Sequence, residues 1–253
     1  MEKEWEGASI LITGGTGTLG TAVVDRLLNY HKPRRVIVFS RDEFKQSELG
    51  KKFPQPALRL FIGDVRDPGR LRTALKDVQY VIHAAALKQV PTIEYNPIEA
   101  VNTNVVGTEN VLTACLESDV KRAVFVSTDK AVHPVNLYGA TKMTGERLWI
   151  AANVYSSRFS VVRYGNVVGS RGAVASFYKT LVKQGVRELP LTDRRCTRYW
   201  MELEAAVDLV LESFRHEPGV LLAAKAPMFR MYDLVKAAHV RAGYKIVGMR
   251  EGE

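Results

Sequence analysis

A glycine-rich turn between a strand and a helix near the start of the chain constrains the fold most strongly. The segment ASILITGGTGTLGTAVVDRLL predicts a buried strand over 10–12 and a helix over 21–28. Between them, Gly14, Gly17 and Gly20 form G-x-x-G-x-x-G. Such glycines allow a tight turn, bring backbone N–H groups close to a pyrophosphate and let the helix pack on the strand. The pattern therefore predicts the first unit of a nucleotide-binding α/β sheet; a glycine-rich turn that binds nothing is the alternative.

A second stretch, STDKAVHPVNLYGATK, carries candidate catalytic groups directly after the predicted strand AVFVS. Tyr138 and Lys142 are four positions apart, so on a helix they share one face. A lysine there can lower the pKa of the phenol by charge proximity and make Tyr138 a usable proton acceptor. Thr128, Asp129 and Lys130 stand at the carboxyl end of the strand, where open α/β sheets bind ligands. Together these residues predict a proton-transfer site beside the nucleotide.

The second strand, RRVIVFS, ends in residues that bear on the choice of cofactor. An NAD site has an acid at this strand end to hold the ribose hydroxyls. Here the strand ends at Ser40 and Arg41, and Lys45 follows one turn later. A hydroxyl and a guanidinium suit a 2′-phosphate, which favours NADP. Two alternatives stay open: Asp42 could hold the ribose of NAD, and Arg41 with Lys45 could be solvated helix charges.

The third and fourth strands predict further contacts to the cofactor. ALRLFIGDVRD ends in Asp64 and Val65, which we place at the adenine edge; capping of the following helix is the alternative for Asp64. The fourth strand, over 80–83, leads to small residues from Ala84 onward that leave room for a flat ring and a ribose. We interpret His83 as structural rather than catalytic. Lys88 is expected to meet phosphate or substrate at the same edge.

Two later helices have apolar positions at helical spacing. The helix after Pro97 is predicted to bury one side, made of Val101, Val105, Thr108, Val111 and Cys115. Within it, Asn104 is expected to brace the active-site strand by bonding backbone. A helix in VASFYKTLVKQG is predicted to bury Phe177 and Leu181. The polar loop after the sixth strand, RYGNVVGSRG, contains Asn166 and Arg171, which are candidates for holding a sugar or a diphosphate, and the later TRYW segment presents Arg198. Arg163, inside the sixth strand, is expected to be structural.

Composition restricts the class of protein. The chain has 253 residues and a formal net charge of +9, but its basic residues are scattered and form no module that reads nucleic acid. We therefore expect ligands with several phosphates rather than nucleic acid. Two cysteines, Cys115 and Cys196, suit a reducing cytoplasm. Neither a long apolar span nor a signal peptide is visible, and no metal site is expected.

Five segments in this order, TGGTGTLG, FSRDEFKQ, HAAALKQVP, STDKAVHPVNLYGATK and RYGNVVGSRG, resemble the extended short-chain dehydrogenase/reductases. The chain looks most like the subgroup of UDP-N-acetylglucosamine 4,6-dehydratases that invert sugar carbon 5. The resemblance covers nearly the whole chain, and STDK with ALKQVP is more specific than the glycine motif. Members usually continue beyond a G-x-R-x-G-E segment, so we expect the substrate-binding part to be truncated at GMREGE. Homo-oligomers are common in the family.

The resemblance implies a mechanism. NADP⁺ takes a hydride from carbon 4 while Tyr138, helped by Lys142 and Thr128, accepts the hydroxyl proton. Lys130 then removes the proton of carbon 5, Asp129 helps water leave from carbon 6, and the hydride returns to carbon 6. Retaining dehydratases typically carry Asp-Glu in place of Asp-Lys, so Lys130 supports inversion. Two rival functions are a nucleotide-sugar 4-epimerase, which needs no base at carbon 5, and a non-catalytic NADP-binding protein.

The alternation of strands and helices predicts an α/β fold with a Rossmann-type doubly wound parallel sheet. Residues 1–165 are assigned to an NADP-binding domain with the catalytic segment, and residues 166–253 to a substrate-binding part interleaved with the last Rossmann elements. The predicted cofactor contacts are Gly14, Thr16, Gly17, Thr18, Leu19, Gly20, Ser40, Arg41, Asp42, Lys45, Asp64, Val65, Ala84, Lys88, Tyr138 and Lys142. The predicted contacts to a UDP-sugar substrate are Lys88, Asn166, Arg171, Val174 and Arg198.

Overall fold

The structure, a computed structural model, describes residues 4–170, 172–238 and 243–249. Its strands are β1 (Ser9–Thr13), β2 (Arg35–Ser40), β3 (Leu58–Ile62), β4 (Tyr80–His83), β5 (Arg122–Thr128), β6 (Phe159–Tyr164), β7 (Asn166–Val167), β8 (Glu188–Leu191), β9 (Thr197–Met201), β10 (Leu221–Ala223), β11 (Met228–Arg230) and β12 (Gly243–Ile246). Its helices are α1 (Thr18–Tyr30), α2 (Glu43–Lys52), α3 (Pro68–Ala74), α4 (Val90–Tyr95), α5 (Pro97–Val101), α6 (Gly107–Leu116), α7 (Leu137–Ala151), α8 (Val174–Lys183), α9 (Leu203–Glu212) and α10 (Met231–Ala238).

The main sheet of the described residues has seven parallel strands in the order β10-β6-β5-β4-β1-β2-β3. The chain runs outward from β1 through β2 to β3, then returns to β4 on the other side of β1 and continues to β5 and β6. This reversal confirms the predicted doubly wound α/β fold. It also creates a crevice between the carboxyl ends of β1 and β4, where such sheets bind ligands.

Both faces of the sheet are buried. Ile10 and Ile12 of β1 pack with α1 in one apolar cluster, whereas Leu11 packs in a second cluster on the opposite face. Neighbouring side chains of a strand point to opposite faces, so a strand covered by helices on both sides is apolar throughout. This is why Ile10, Leu11 and Ile12 form a continuous apolar run. The run predicts a buried strand although apolar and polar residues do not alternate in it.

The helical segment after Pro97 differs from the prediction in which residues it buries. A π-helical turn, Asn102–Val106, separates α5 from α6. Val101 is 36% exposed, while Thr103 and Asn104 are buried. The wider turn shifts the helical phase, so the predicted apolar side is wrong at Val101 and right for Thr108, Val111 and Cys115, while Val105 is half-buried.

The prediction for Phe177 is wrong as well. The side chain of Phe177 is 47% exposed, and its neighbour Tyr178 is buried instead, donating a hydrogen bond to the Pro190 carbonyl. Leu181 packs at the edge of the same small cluster, as predicted. The buried face of α8 thus includes Tyr178 and Leu181 but not Phe177, and Tyr178 can be buried because its hydroxyl has a backbone partner.

The residues after β6 build a smaller part beside the sheet. β7, β9 and β11 form one short sheet and β8 pairs with β12 in another, while β10 rejoins the main sheet beside β6. The described residues after 165 are therefore interleaved between the two parts. The exact division at residue 165 stays a prediction.

Gly139 ties α7 to the turn that carries the candidate catalytic residues. A Cβ atom at Gly139 would lie 2.1 Å from the carbonyl oxygen of Lys130, so only glycine lets the helix approach the turn this closely. We expect Gly139→Ala to lower the free energy of unfolding by about 1–3 kcal/mol, the typical cost of overpacking, as measured by urea denaturation.

The matched control is Gly69→Ala in α3, where a Cβ atom would meet its nearest neighbour at 3.4 Å, an ordinary contact. Alanine is favoured over glycine inside a helix by roughly 0.5–1 kcal/mol, so Gly69→Ala should be neutral or stabilising. Equal effects of the two substitutions would contradict the proposed close packing at Gly139.

Candidate active site

A cavity of about 1000 Å³ opens at the carboxyl ends of the main-sheet strands. It is lined by the glycine turn, the end of β2 and the loops after β4, β5 and β6. Every described residue of the predicted site borders it: Gly14, Thr16, Gly17, Thr18, Leu19, Gly20, Ser40, Arg41, Asp42, Lys45, Asp64, Val65, Ala84, Lys88, Thr128, Asp129, Lys130, Tyr138, Lys142, Asn166, Val174 and Arg198. Arg171 lies outside the described residues. One cavity thus collects groups from distant parts of the sequence, and their individual roles remain predictions.

The glycine turn packs its backbone closely against the loop after β4 and against the start of α1. Gly14 has a φ of +68°, and a Cβ atom on it would lie 2.8 Å from the Ala85 nitrogen. A Cβ atom on Gly20 would lie 2.5 Å from the Gly15 Cα, which explains the close contact of helix and turn. α1 begins at Thr18, three residues earlier than predicted, and Gly17 caps it without a side-chain hydrogen bond. Backbone N–H groups at the start of α1 can therefore meet an anion, which fits a dinucleotide.

His83 is structural, as predicted. Its Nδ1 lies 2.7 Å from the Thr13 hydroxyl and its Nε2 lies 2.9 Å from the Thr108 hydroxyl. Thr108 donates its single proton to the Asn104 carbonyl, so Nε2 of His83 must carry the proton that Thr108 accepts. Burial and the charge of Lys142 hold the pKa of His83 well below its ordinary value. A neutral imidazole therefore joins β1, β4 and the helix after Pro97.

Asn104 braces the cavity wall but not the strand that was predicted. Its amide accepts a hydrogen bond from Leu87 N and donates one to Leu87 O, both in the loop after β4. It also donates to the Thr141 hydroxyl on α7. The expectation of a bond to β5 is wrong, because the π-helical turn directs Asn104 toward the neighbouring loop. The amide consequently fixes α7 relative to the loop that begins at Ala84.

Three polar residues at the carboxyl end of β5 form a connected group with Asn166. The Thr128 hydroxyl donates to Asp129 Oδ1 at 2.9 Å. The Lys130 ammonium donates to the same carboxylate oxygen at 3.0 Å and to Asn166 Oδ1 at 3.2 Å. The side chains of Asp129 and Lys130 are 25% and 30% exposed, so both are reachable from the cavity. An acid and an amine are thus held side by side at the ligand-binding edge of the sheet.

Tyr138 joins this group through Thr128. Burial raises the pKa of Tyr138 to about 12; the hydrogen bond with Thr128 offsets part of this effect, and the charge of Asp129 adds to it. The expectation that Lys142 lowers the pKa of Tyr138 is wrong in this structure. The Lys142 ammonium lies 3.8 Å from the centre of the Phe125 ring instead, and burial lowers the pKa of Lys142 to about 7 despite the charge of Glu146. The charge of Lys142 therefore contributes to lowering the pKa of His83 but does not lower that of Tyr138.

The acids that border the cavity beside the ends of β2 and β3 are already engaged. The Asp42 carboxylate caps α2 by accepting from Lys45 N, and it also forms an ion pair with the Lys45 ammonium at 2.5 Å. The Ser40 hydroxyl lies 2.9 Å from the Thr16 hydroxyl. Capping by Asp64, the alternative considered from the sequence, is wrong: Asp67 caps α3 through Arg70 N. Asp64 instead accepts hydrogen bonds from basic side chains.

Several lining residues carried no recognisable signal in the sequence. Tyr164 lies opposite Thr128 in the register of β5 and β6, and burial together with the neighbouring Tyr138 raises its pKa. Trp200 stacks on Phe229 with ring centres 4.4 Å apart at the far side of the cavity. These rings reach the site because strands that are distant in sequence pair with each other. The only signal in the sequence was the segment RYGN, which contains Tyr164. Arg163, beside it, is structural as predicted, because it pairs with buried Glu146.

Within the described parts of the chain, each helix is too short or too polar to cross a lipid bilayer. Residues 10–253 match the model of the polysaccharide biosynthesis protein family. An inverting UDP-N-acetylglucosamine 4,6-dehydratase of Campylobacter jejuni subsp. jejuni serotype O:2 is 50% identical over 250 residues, which are 97% of this chain and 75% of that protein. A UDP-glucose 4-epimerase of Rickettsia akari is 42% identical over 97% of this chain and 75% of its own.

Among solved structures, Pen from Bacillus thuringiensis superposes with a TM-score of 0.94 at 37% identity, covering 99% of this chain and 80% of that one. The dTDP-glucose 4,6-dehydratase DesIV from Streptomyces venezuelae has a TM-score of 0.88 at 23% identity, with 97% and 86% covered, and supports the fold alone. Relatives of both reaction types, the dehydratase and the 4-epimerase, match nearly the whole chain. The inverting dehydratase has the higher sequence identity of these two. The chain belongs to the polysaccharide biosynthesis protein family of extended short-chain dehydrogenase/reductases, whose members related to it include nucleotide-sugar dehydratases.

Proposed function

We propose that the protein catalyses NADP-dependent 4,6-dehydration of UDP-N-acetylglucosamine with inversion at carbon 5. The observation that carries the proposal is the position of Lys130. Its ammonium is held by Asp129 and Asn166 in the cavity that also contains the glycine turn and Tyr138. An amine serves as the base for a carbon acid only if it reaches the reacting ring, and the fixed geometry supports this.

The proton at the carbon 4 hydroxyl is assigned to Tyr138 and Thr128. Tyr138 and Thr128 share a hydrogen bond, and the Thr128 hydroxyl also lies 2.9 Å from Asp129 Oδ1, so its one proton can turn from the carboxylate to the phenol oxygen when Tyr138 ionises. Oxidised NADP, when bound, supplies the hydride acceptor and a positive charge in the same cavity. That charge favours the phenolate over the buried phenol, which reduces the cost that burial imposes on ionising Tyr138. Lys142 contributes a hydrogen-bond donor to the cofactor rather than a strong electrostatic effect.

The elimination step is assigned to Lys130 and Asp129. Once carbon 4 is a ketone, the hydrogen on carbon 5 is acidic; Lys130 passes one ammonium proton to Asp129, and its amine then takes the proton from carbon 5. Asp129 delivers a proton to the departing hydroxyl of carbon 6, so that one water leaves across carbons 5 and 6. Bound NADPH would supply the hydride that carbon 6 needs, and carbon 5 would take a proton from solvent on the opposite face. Because an amine and a carboxyl group stand side by side, Lys130 can act as the base while Asp129 acts as the acid.

A 4-epimerase is the second candidate, because a UDP-glucose 4-epimerase is 42% identical to the chain. Epimerisation needs a hydride acceptor and the proton relay of Tyr138, but no base for carbon 5. Lys130, with its two hydrogen-bonded partners, has no function in such a reaction. This difference favours the dehydratase.

The cofactor is assigned as NADP on the groups at the end of β2. Arg41 and Ser40 border the cavity where the adenosine ribose is expected, and Lys45 lies one turn further. The Asp42 carboxylate is committed to capping α2 and to Lys45, which leaves it poorly placed to hold two ribose hydroxyls. NAD, which is bound in the structure of DesIV, is the competing cofactor.

Lys130→Met tests the base. It keeps the length of the side chain and removes the amine, so we expect dehydration of UDP-N-acetylglucosamine to fall by at least about 100-fold, the lower range for losing a general base. Mass spectrometry of the product follows the loss of one water. NADP affinity should stay within about twofold, since Lys130 has no predicted contact with the dinucleotide.

The matched control is Lys121→Met, at an exposed position just before β5, which should leave turnover unchanged. Unimpaired dehydration by Lys130→Met would remove Lys130 from the mechanism. A wild-type product of unchanged mass would instead support the epimerase.

Titration of both cofactors by calorimetry tests the NADP assignment. Charge-assisted contacts to a 2′-phosphate are worth roughly 1.5–3 kcal/mol, so wild-type protein should bind NADP at least tenfold more tightly than NAD. Arg41→Ala should reduce this preference and leave NAD affinity nearly unchanged. Equal affinities for the two cofactors in the wild type would refute the assignment.

The buried amine of Lys142 predicts a pH dependence of stability. Its pKa is about 7 in the folded protein and about 10.4 in an unfolded chain. Between these values the unfolded chain binds the extra proton, so the free energy of unfolding rises with pH. Urea denaturation at pH 7, 8 and 9 should show wild type gaining up to about 1.4 kcal/mol per pH unit relative to Lys142→Met. Parallel pH profiles would show that Lys142 is not buried as described.

A further inference from the structure

A chain of alternating charges lies at the adenosine end of the cavity. Arg41 and Arg66 both contact Asp64, and Arg66 extends the chain to Glu99. The two contacts to Asp64 are unequal. Arg66 donates to Asp64 Oδ2 from two nitrogens at 2.8 and 3.0 Å, and its backbone N–H donates to Oδ1 at 3.0 Å. Arg41 contacts Oδ2 through a single nitrogen at 3.4 Å.

The weaker contact is the one that faces the cofactor site. The side chain of Arg41 is 50% exposed, whereas that of Asp64 is 23% exposed, and both border the cavity. An exposed ion pair of this geometry contributes little free energy and is easily exchanged. Hydrogen bonds from Arg66 and the charge of Arg41 lower the pKa of the Asp64 carboxyl although burial alone would raise it, so Asp64 stays ionised. If Arg41 leaves, Arg66 still satisfies the carboxylate.

We propose that Asp64 determines the degree of cofactor discrimination by competing with the 2′-phosphate for Arg41. The proposal rests on the NADP assignment made above. With NADP, the guanidinium moves from the carboxylate to the phosphate, and Arg66 retains Asp64. With NAD, Arg41 keeps Asp64 as its partner, so no unpaired cation faces the ribose hydroxyls. Asp64 therefore reduces the advantage of NADP and makes NAD tolerable.

The test is a double-mutant cycle on the ratio of the two cofactor affinities. Asp64→Asn is isosteric, and its amide oxygen still accepts from Arg66 N. If the substitution weakens binding of the adenine ring, it does so for NAD and NADP alike, and the effect cancels in the ratio. We expect the Kd ratio of NAD to NADP to rise by about two- to fivefold in Asp64→Asn, the range for removing one exposed ion pair. In an Arg41→Ala background the same substitution should leave the ratio unchanged.

Glu99→Gln provides the matched control. Like Asp64→Asn, it removes one negative charge from this series of ion pairs. Glu99, however, pairs with Arg66 and not with Arg41. The ratio should stay within experimental error of wild type. Calorimetric titration with adenosine 2′,5′-bisphosphate and with adenosine 5′-monophosphate repeats the comparison on the adenosine end alone and should give the same shift.

Each result is decisive. An unchanged ratio in Asp64→Asn, an equal shift in Glu99→Gln, or a shift that persists without Arg41 overturns the role of Asp64. A wild-type ratio near one overturns the NADP assignment instead, and it is read from the wild type alone. Thermal denaturation of each variant, followed by circular dichroism, confirms that the compared proteins are folded.

Discussion

The register of four neighbouring parallel strands is the constraint on which the site depends. Thr13 of β1 pairs with His83 of β4, and His83 pairs in turn with Phe125 of β5. Thr128, at the end of β5, pairs with Tyr164 of β6. β1 and β4 therefore end at one level, β5 and β6 end together a few residues further along, and the polar residues at and after these four ends converge on one cavity. A shift of one residue in any of these pairs would turn every side chain of that strand to the opposite face.

Burial decides which groups in the cavity carry charge. His83 stacks on Phe125 and Trp149, the Lys142 ammonium lies over the Phe125 ring, and burial lowers the pKa of both. The pKa of Tyr138 is raised for the same reason. Asp129 and Lys130, at the rim, retain contact with solvent and with each other. The interior thus supplies neutral groups in fixed positions, and charge is concentrated where a sugar ring would meet Asp129 and Lys130.

Much of this arrangement could be predicted from the sequence because it depends on local patterns. Positions 14 and 20 require glycine because the backbone of neighbouring residues approaches them too closely for a Cβ atom. The STDK segment carries its polar groups within four consecutive residues. The failures arise from effects of tertiary structure. A π-helical turn changed the phase of the helix at Thr103, and a backbone partner buried Tyr178 in place of Phe177.

The electrostatic prediction for the tyrosine failed for a similar reason. Spacing on a helix places Tyr138 and Lys142 on one face, but it does not reveal that the ammonium rests on the Phe125 ring. Aromatic contacts from a neighbouring strand cannot be seen in the sequence of α7. The direction of an ionisable side chain therefore needs the packed structure, although the identity of the residue does not.

The reaction at carbon 5 is the central claim, and proton NMR in heavy water tests it most directly. UDP-N-acetylglucosamine would be incubated with the protein and NADP in deuterated buffer, and the sugar product would be examined at carbon 5. Removal of the proton by Lys130 predicts a product that has lost one water and carries solvent deuterium at carbon 5 in the inverted configuration. A product that keeps the original hydrogen at carbon 5 would contradict the account.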